Sequence, residues 1–598
     1  MNASRWSRSA SVAAGLVWLA ACSGNPAPTV TPEADAPAAA AGDTAAAGKE
    51  AAGRLPAPSI DPRPGGLMAA ELPQPGVELR DPAERAGLDV TNYDLDIDLS
   101  GLADSLIVGH ATLTLRPPPG SDHVDLDFVG LPVDSVRLGG RRVAFTQGPA
   151  ILRVAPASGL GSGARIEVFY HGIPRDGMFI GPDASGELTA FADNWPNRAR
   201  WWFPANDYPP DKATVTFEVR APEGYSVVAN GRLMGHEDGV WRWREDVEIP
   251  AYTMVIGAAP FERADIGTAA CGDAPEGAAD GCAMVSTWAL PGSGAYAEQR
   301  FARAPDMVDF YTGLFGPYPY EKLAHVQSST RFGGMENSSA IFYAMGGWAE
   351  ERMGESVIAH ETVHQWFGDS VTPASWAHLW VSEGFATYFA AVYFGDRDGP
   401  QAFREAMDGG RRSVIGSDAS NRPVVDERPD LFGLLNSNSY PKGAWILHML
   451  RSMIGDEAFF RGIRSYYAEH AEDAADTEDV RRAMEEASGE DLGWFFDQWA
   501  YSPGFPRLKV TTQLSGDATL VTIEQVQKPE WPTFRLPLVV EANDTDGRAM
   551  RREILMEGRR EILRFDGVVA RDAVTLDPDD TLLMDVVGAD AKGEDTGS

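Results

Sequence analysis

The chain has 598 residues, 44% of them hydrophobic and 10% aromatic, and a formal net charge of −36. That length exceeds what one hydrophobic core supports, so about three domains and a large buried interior are expected. An excess of acid this large, with no visible cluster of Lys and Arg, excludes nucleic acid as a partner and leaves only a mild, screened attraction for basic peptides.

Residues 1–21 read as a targeting segment. Arg5 and Arg8 precede an apolar run from Ser11 to Ala21, too short to span a bilayer as a mature helix. The run ends in Leu19-Ala-Ala-Cys22 and resembles a bacterial lipoprotein signal. That resemblance implies cleavage before Cys22, lipidation of its thiol, and an exported protein anchored to a bacterial membrane, facing the periplasm or the cell surface. An ordinary secretory signal cut after small residues is the alternative. Residues 22–75 are rich in Ala, Pro, Gly and Thr with almost no aromatics, the composition of a tether rather than a core.

Alternation with period two then predicts a β-rich N-terminal domain over residues 85–265, with strands at Tyr93–Leu99, Ala111–Leu115, Val124–Phe128, Arg165–Tyr170 and Ala213–Val219. Longer helical periods occupy residues 266–503, at Ala302–Leu314, around residue 360, and at Trp376–Phe394, Gly443–Ile454, Asp456–His470 and Asp479–Ala487. Period two returns at Leu508–Leu514, Leu520–Glu524, Leu536–Glu541 and Leu582–Val586, which predicts a C-terminal β-sandwich over residues 505–590. With Cys22 assigned to lipid, Cys271 and Cys282 remain as an even pair in an exported chain. A disulfide between them is expected, with two free thiols as the alternative.

The chemistry concentrates in Val357-Ile-Ala-His-Glu-Thr-Val-His-Gln-Trp-Phe-Gly368. His360 and His364 stand one helical turn apart, so both imidazoles converge on one metal ion. Glu383, in a second helix-like run, supplies a third ligand and leaves a fourth position for water. Glu361 adjoins a ligand without being needed as one, and is placed to take a proton from that water as the general base. The reading is one Zn²⁺ per chain in an amide-cleaving site. A surface helix with two chance histidines is the bland alternative, and the apolar neighbours Val357, Ile358, Val363, Trp366 and Phe367 speak for a buried helix instead.

Phe332-Gly-Gly-Met-Glu-Asn337, the HETVHQWFGD string, Ser382-Glu383-Gly-Phe-Ala and Tyr440-Pro-Lys-Gly-Ala444 together resemble the gluzincin aminopeptidases of the aminopeptidase N and leukotriene hydrolase family. Arg200-Trp-Trp-Phe-Pro204 with Asp211-Lys-Ala-Thr214, and Phe495-Phe-Asp-Gln-Trp499 with Gly504-Phe-Pro506, extend the resemblance over residues 88–587. It implies a multidomain α+β fold: an N-terminal β-rich saddle, a thermolysin-like mixed α/β catalytic domain and a C-terminal β-sandwich, without the helical cap of larger members. It further implies peptide substrates with a free N-terminus, bound at Gly333, Gly334, Met335, Glu336 and Asn337, with Glu336 facing the α-ammonium and Tyr440 the oxyanion. Two departures among the residues stand out. Trp195 occupies the place of an amine-binding acid, with Asp193 or Asn194 as substitutes, and Ser382 replaces an Asn. A zinc endopeptidase, an idle peptide-binding envelope protein and an epoxide hydrolase are the rival functions.

Overall fold

The computed structural model describes residues 87–588 apart from 119, 156–159, 276 and 546. The targeting segment, the tether and Cys22 lie outside the described residues. Among the described residues no helix is long and apolar enough to cross a membrane.

The alternating N-terminal segments form two sheets. In Asp89–Asp98 the residues Tyr93, Leu95 and Ile97 are buried while the aspartates between them point outward, as a half-buried strand requires. This strand pairs antiparallel with Ile107–Arg116 and parallel with Lys212–Arg220 at the centre of a ten-stranded sheet. A four-stranded sheet contains Met178–Pro182, Leu188–Ala192, Ser226–Ala229 and Ile256–Ala259, its strands interleaved in sequence with Lys212–Arg220, Arg232–Glu237 and Val240–Pro250 of the first.

A mixed five-stranded sheet opens the next region. Ala283–Ala289, Lys322–Ser328 and Ala340–Ala344 run parallel, Glu262–Ala269 closes one edge, and the two-residue strand Gly334–Met335 forms the other. Helical periods did not announce this sheet, because Lys322–Ser328 is buried on both faces and shows no alternation. The helices fall close to their predicted spans: Ala304–Phe315, Glu355–His364, Trp380–Asp398, Gly443–Ile454, Asp456–His470 and Thr477–Ser488. Helices Pro400–Ile415 and Gly493–Trp499 were not anticipated. A π-helical turn, Asn438–Lys442, runs directly into Gly443–Ile454. Pro441 lies inside it and has no N–H to bond backward, and Lys442 N reaches Ser437 O at 2.9 Å instead.

The C-terminal strands build two sheets, one of four strands around Arg507–Ser515 and Ala518–Gln525 and one of three around Leu536–Asn543. The last predicted strand begins later than expected. Leu582, Leu583 and Met584 are buried loop residues packed toward the catalytic helices, where Leu583 N meets Met449 Sδ at 3.4 Å, and pairing starts only at Asp585.

Candidate active site

Two helices carry His360, Glu361, His364 and Glu383, and Glu336 follows the edge strand Gly334–Met335. Glu355–His364 buries Ile358, Ala359 and Val363 and turns His360, Glu361 and His364 to one cavity. Trp380–Asp398 presents Glu383 from its first turn. His360 Nε2, His364 Nε2 and Glu383 Oε2 lie 3.0–3.2 Å from one another. His364 Nδ1 faces the Phe367 carbonyl oxygen at 3.0 Å and Ser382 Oγ at 3.1 Å, so Nδ1 carries the proton and Nε2 keeps its lone pair. Three lone-pair atoms turned on one point repel unless a cation or proton lies between them. Two imidazoles and a carboxylate with one open side suit a four-coordinate, borderline-soft cation.

Glycines make the surroundings of these groups possible. Gly368, at φ 130°, allows the chain to turn after the helix, where a Cβ would stand 2.6 Å from Ser382 Oγ and 2.8 Å from His364 Nδ1. Gly334 on the edge strand leaves room for Glu361, since a Cβ there would overlap the Glu361 carboxylate. Lys212, on a strand of the ten-stranded sheet, and Tyr252, in the short 3-10 turn Ala251–Thr253, reach the loop after the histidine helix. Lys212 Nζ donates to Asp369 O at 3.0 Å and Ser370 O at 2.6 Å, and Tyr252 Oη donates to Gly368 O at 2.7 Å.

Burial governs the carboxyls. Glu383 would be raised by burial alone, but when no ion is bound a proton on His364 takes its place, and that charge with the hydrogen bonds from His360 and His364 outweighs burial and holds Glu383 at about 2. Glu361 is 3% exposed, and burial pushes it well above the ordinary carboxyl range, with Glu336 and Glu383 adding to the shift and His364 opposing it. Glu336 is 7% exposed and pushed up to about 7 by burial, again against His364 and with Glu383. A buried carboxyl in this condition gains most from the arrival of a cation.

The residues singled out in the sequence converge. Gly334, Met335, Glu336, His360, Glu361, His364, Glu383 and Tyr440 all line one cavity. Gly333 adjoins it in the chain, while Asn337 is buried beneath, its Nδ2 donating to Met335 O at 3.4 Å. Tyr440 Oη donates to Glu383 Oε1 at 2.7 Å, and its ring stacks on His360. Gln365 braces the edge strand from behind: its Nε2 donates to Glu336 O at 2.7 Å and its Oε1 accepts from Ser339 N.

Neither Asp193 nor Asn194 lines the cavity. Asn194 donates to Ala251 O and Met254 O and accepts from Trp202 Nε1. Asp193 accepts from Arg198 at 2.6 Å and Thr330 at 3.4 Å, with Arg331 Nε at 3.7 Å. Trp195, by contrast, lines the cavity together with Phe332 and Leu435. Sequence reasoning noted Trp195 only as a departure and passed over Leu435 and the Phe367 carbonyl. A main-chain oxygen leaves no side-chain signal to find.

The description "Peptidase family M1 domain" matches residues 301–499. A probable aminopeptidase 1 of Sulfurisphaera tokodaii is 26% identical over 76% of this chain and 58% of its own length. Aminopeptidase N of Streptomyces lividans is 27% identical over 83% of this chain and 61% of its own. The chain thus spans about three-fifths of the length of these curated relatives. Among solved structures, the M1 zinc metallopeptidase of Deinococcus radiodurans aligns with a TM-score of 0.60 at 25% identity, over 70% of this chain and 95% of that one. Yeast LTA4 hydrolase shares the fold, with a TM-score of 0.62 at 23% identity over 70% of this chain and 69% of that one. The M1 domain match identifies residues 301–499 as a peptidase family M1 domain, and these relatives and the convergence of the motif residues on one cavity make the chain around it similar to the zinc aminopeptidases of that family.

Proposed function

We propose that the protein is a zinc-dependent aminopeptidase that removes the first residue of peptides. The observation that carries this reading is the placement of Glu336, a buried carboxyl with no Lys or Arg on the cavity wall, beside the His360, His364 and Glu383 cluster. A free α-ammonium is the partner such a group lacks. The relatives named aminopeptidases and the zinc metallopeptidase of Deinococcus support the same assignment.

His360, His364 and Glu383 would hold the ion. When bound, zinc supplies a Lewis acid that polarises the scissile carbonyl and makes water acidic enough to be deprotonated near neutral pH. Glu361, raised by burial, accepts the proton of the attacking water and delivers it to the leaving amine. Tyr440 Oη turns from Glu383 to donate to the developing oxyanion, a role its neutral phenol fills. Gly334–Met335 is an edge strand whose inner side pairs with Ala340–Ala344, so its outer side is open for the substrate backbone, with Gly333 at its start. Asn337 and Gln365 keep that strand in place.

The mature chain is anchored in the cell envelope through lipidated Cys22. This reading rests on Leu19-Ala-Ala-Cys22 and is supported by the Cys271–Cys282 disulfide, a bond that persists in oxidising compartments.

The test is hydrolysis of paired free and N-acetylated aminoacyl amides by the purified protein, with and without a chelator. Only free-amine substrates should be cleaved, and only with metal. Glu336→Ala should lower kcat/KM for them by roughly 10- to 150-fold, the loss of one charge-assisted hydrogen bond. Efficient cleavage of the acetylated series would instead make the enzyme an endopeptidase.

A further inference from the structure

The cavity has a second, apolar side that this chemistry leaves unused. Trp195, Phe332, Met335, Leu435 and the ring of Tyr440 line it. Trp195 is 3% exposed and meets Phe332, Trp376 and Phe432 edge to face, with ring centroids 5.9, 5.5 and 5.4 Å away. Held on three sides, the indole is a fixed wall. Asp193 and Asn194 beside it have their hydrogen bonds committed elsewhere, so this segment offers a substrate an aromatic surface and no carboxylate.

We propose that Trp195 is the specificity-determining wall for the first side chain, and that the substrates are peptides whose first residue is apolar and uncharged. The proposal rests on the aminopeptidase reading, which engages every charged group of the cavity: three side chains hold metal, Glu361 moves the proton and Glu336 holds the ammonium. An acidic first side chain would meet these carboxylates at close range. A basic one would be desolvated with no carboxylate left to pair with it, and burying an unpaired charge is costly. An apolar side chain loses only water against Trp195, Phe332 and Leu435, and each methylene so buried is worth roughly tenfold or more in discrimination.

The experiment measures kcat/KM of the zinc-loaded full chain for Gly, Ala, Leu, Phe, Glu and Arg amides with free amines. The wild type should favour Leu and Phe over Gly by at least about tenfold, with Glu and Arg poorest. Trp195→Leu should lower the Leu-to-Gly and Phe-to-Gly ratios roughly 10- to 100-fold. Such a ratio is independent of how much of the variant is folded. Leu435→Ala, a smaller change outside the aromatic cluster, should lower the same two ratios. A wild type that ignores the first side chain or prefers Arg or Glu overturns the proposal, as does an unchanged ratio in both variants, and in those cases the aminopeptidase reading stands. A wild type that cleaves none of the free-amine amides brings down the aminopeptidase reading and the wall with it.

Discussion

Gly334 and Glu361 constrain each other, because the glycine is bare where the carboxylate lies. Gly334→Ala is therefore expected to push Glu361 aside and lower kcat roughly 10²-fold, the scale of a displacement of about 1 Å in a reacting group. Zinc content, measured by mass spectrometry, should stay at one per chain. Glu361→Gln should also keep metal and lose turnover, whereas His364→Ala should lose the metal itself. Near-normal turnover by metal-replete Glu361→Gln would end its assignment as base. Tyr440→Phe deletes one hydroxyl and should lower kcat about 10²–10³-fold, and a change confined to KM would make it a ground-state contact. His360, His364 and Glu383 were legible in the sequence because coordination demands residue types at helical spacing. Glu336 and Tyr440 were legible only through a family pattern, since a lone acid or tyrosine has no spacing to betray it. The place of Trp195 was hidden for another reason: whether an aromatic lines a cavity or fills a core depends on neighbours more than a hundred residues away, here Phe332, Trp376 and Phe432.

At the scale of elements, the site depends on two backbones in contact. A Cβ on Gly384 would lie 2.8 Å from Gly443 Cα, so the Glu383 helix and the helix after the π turn touch main chain to main chain. This closeness brings Tyr440 to Glu383, one residue before the first glycine and three before the second. The same turn buries Lys442 completely, with no hydrogen-bonding partner for its ammonium among the described residues. Burial lowers its pKa to about 7 from an ordinary 10.5. Between those values the unfolded chain holds a proton that the folded chain has released, so stability rises with pH across that window, and the full penalty applies below about pH 7. Lys442→Met should accordingly raise Tm by about 2–4 °C at pH 6.5, and the gain should shrink toward pH 10. A difference from wild type that is the same at both pH values would show that Lys442 does not titrate in this range. Long helices and half-buried strands were readable from their periods. The π turn was not, since Pro441 inside a helical pattern reads as a break, and neither was the central sheet, whose strand Lys322–Ser328 is buried on both faces and shows no alternation.

For the molecule as a whole, the proposed export rests on the cysteines. Cys271 and Cys282 are joined in the structure, and the proposal gives Cys22 to lipid. Cys22→Ala should turn a membrane-pelleting protein into a soluble or unprocessed one, and a wild type that takes up no label from a fatty acid supplied during growth would refute the anchor. The order of regions, β-rich, then helical, then β-rich, was legible from the change of period alone. How those regions touch was not, because contacts such as Arg411 with Asp580 at 3.0 Å, or Gln498 with the main chain of Arg535, join residues with no shared pattern.

Lys212 and Tyr252 hold the loop that follows the histidine helix, and both come from the part of the chain before residue 266. Trp195 comes from there too. The histidine motif is consequently not a portable cassette: a gene fusion or truncation that cuts where the sequence pattern changes would carry away every metal ligand yet leave behind one wall of the cleft and the struts behind it. Recombination among such enzymes is viable only when the first strands travel with the motif, so the unit of inheritance is larger than the unit of coordination.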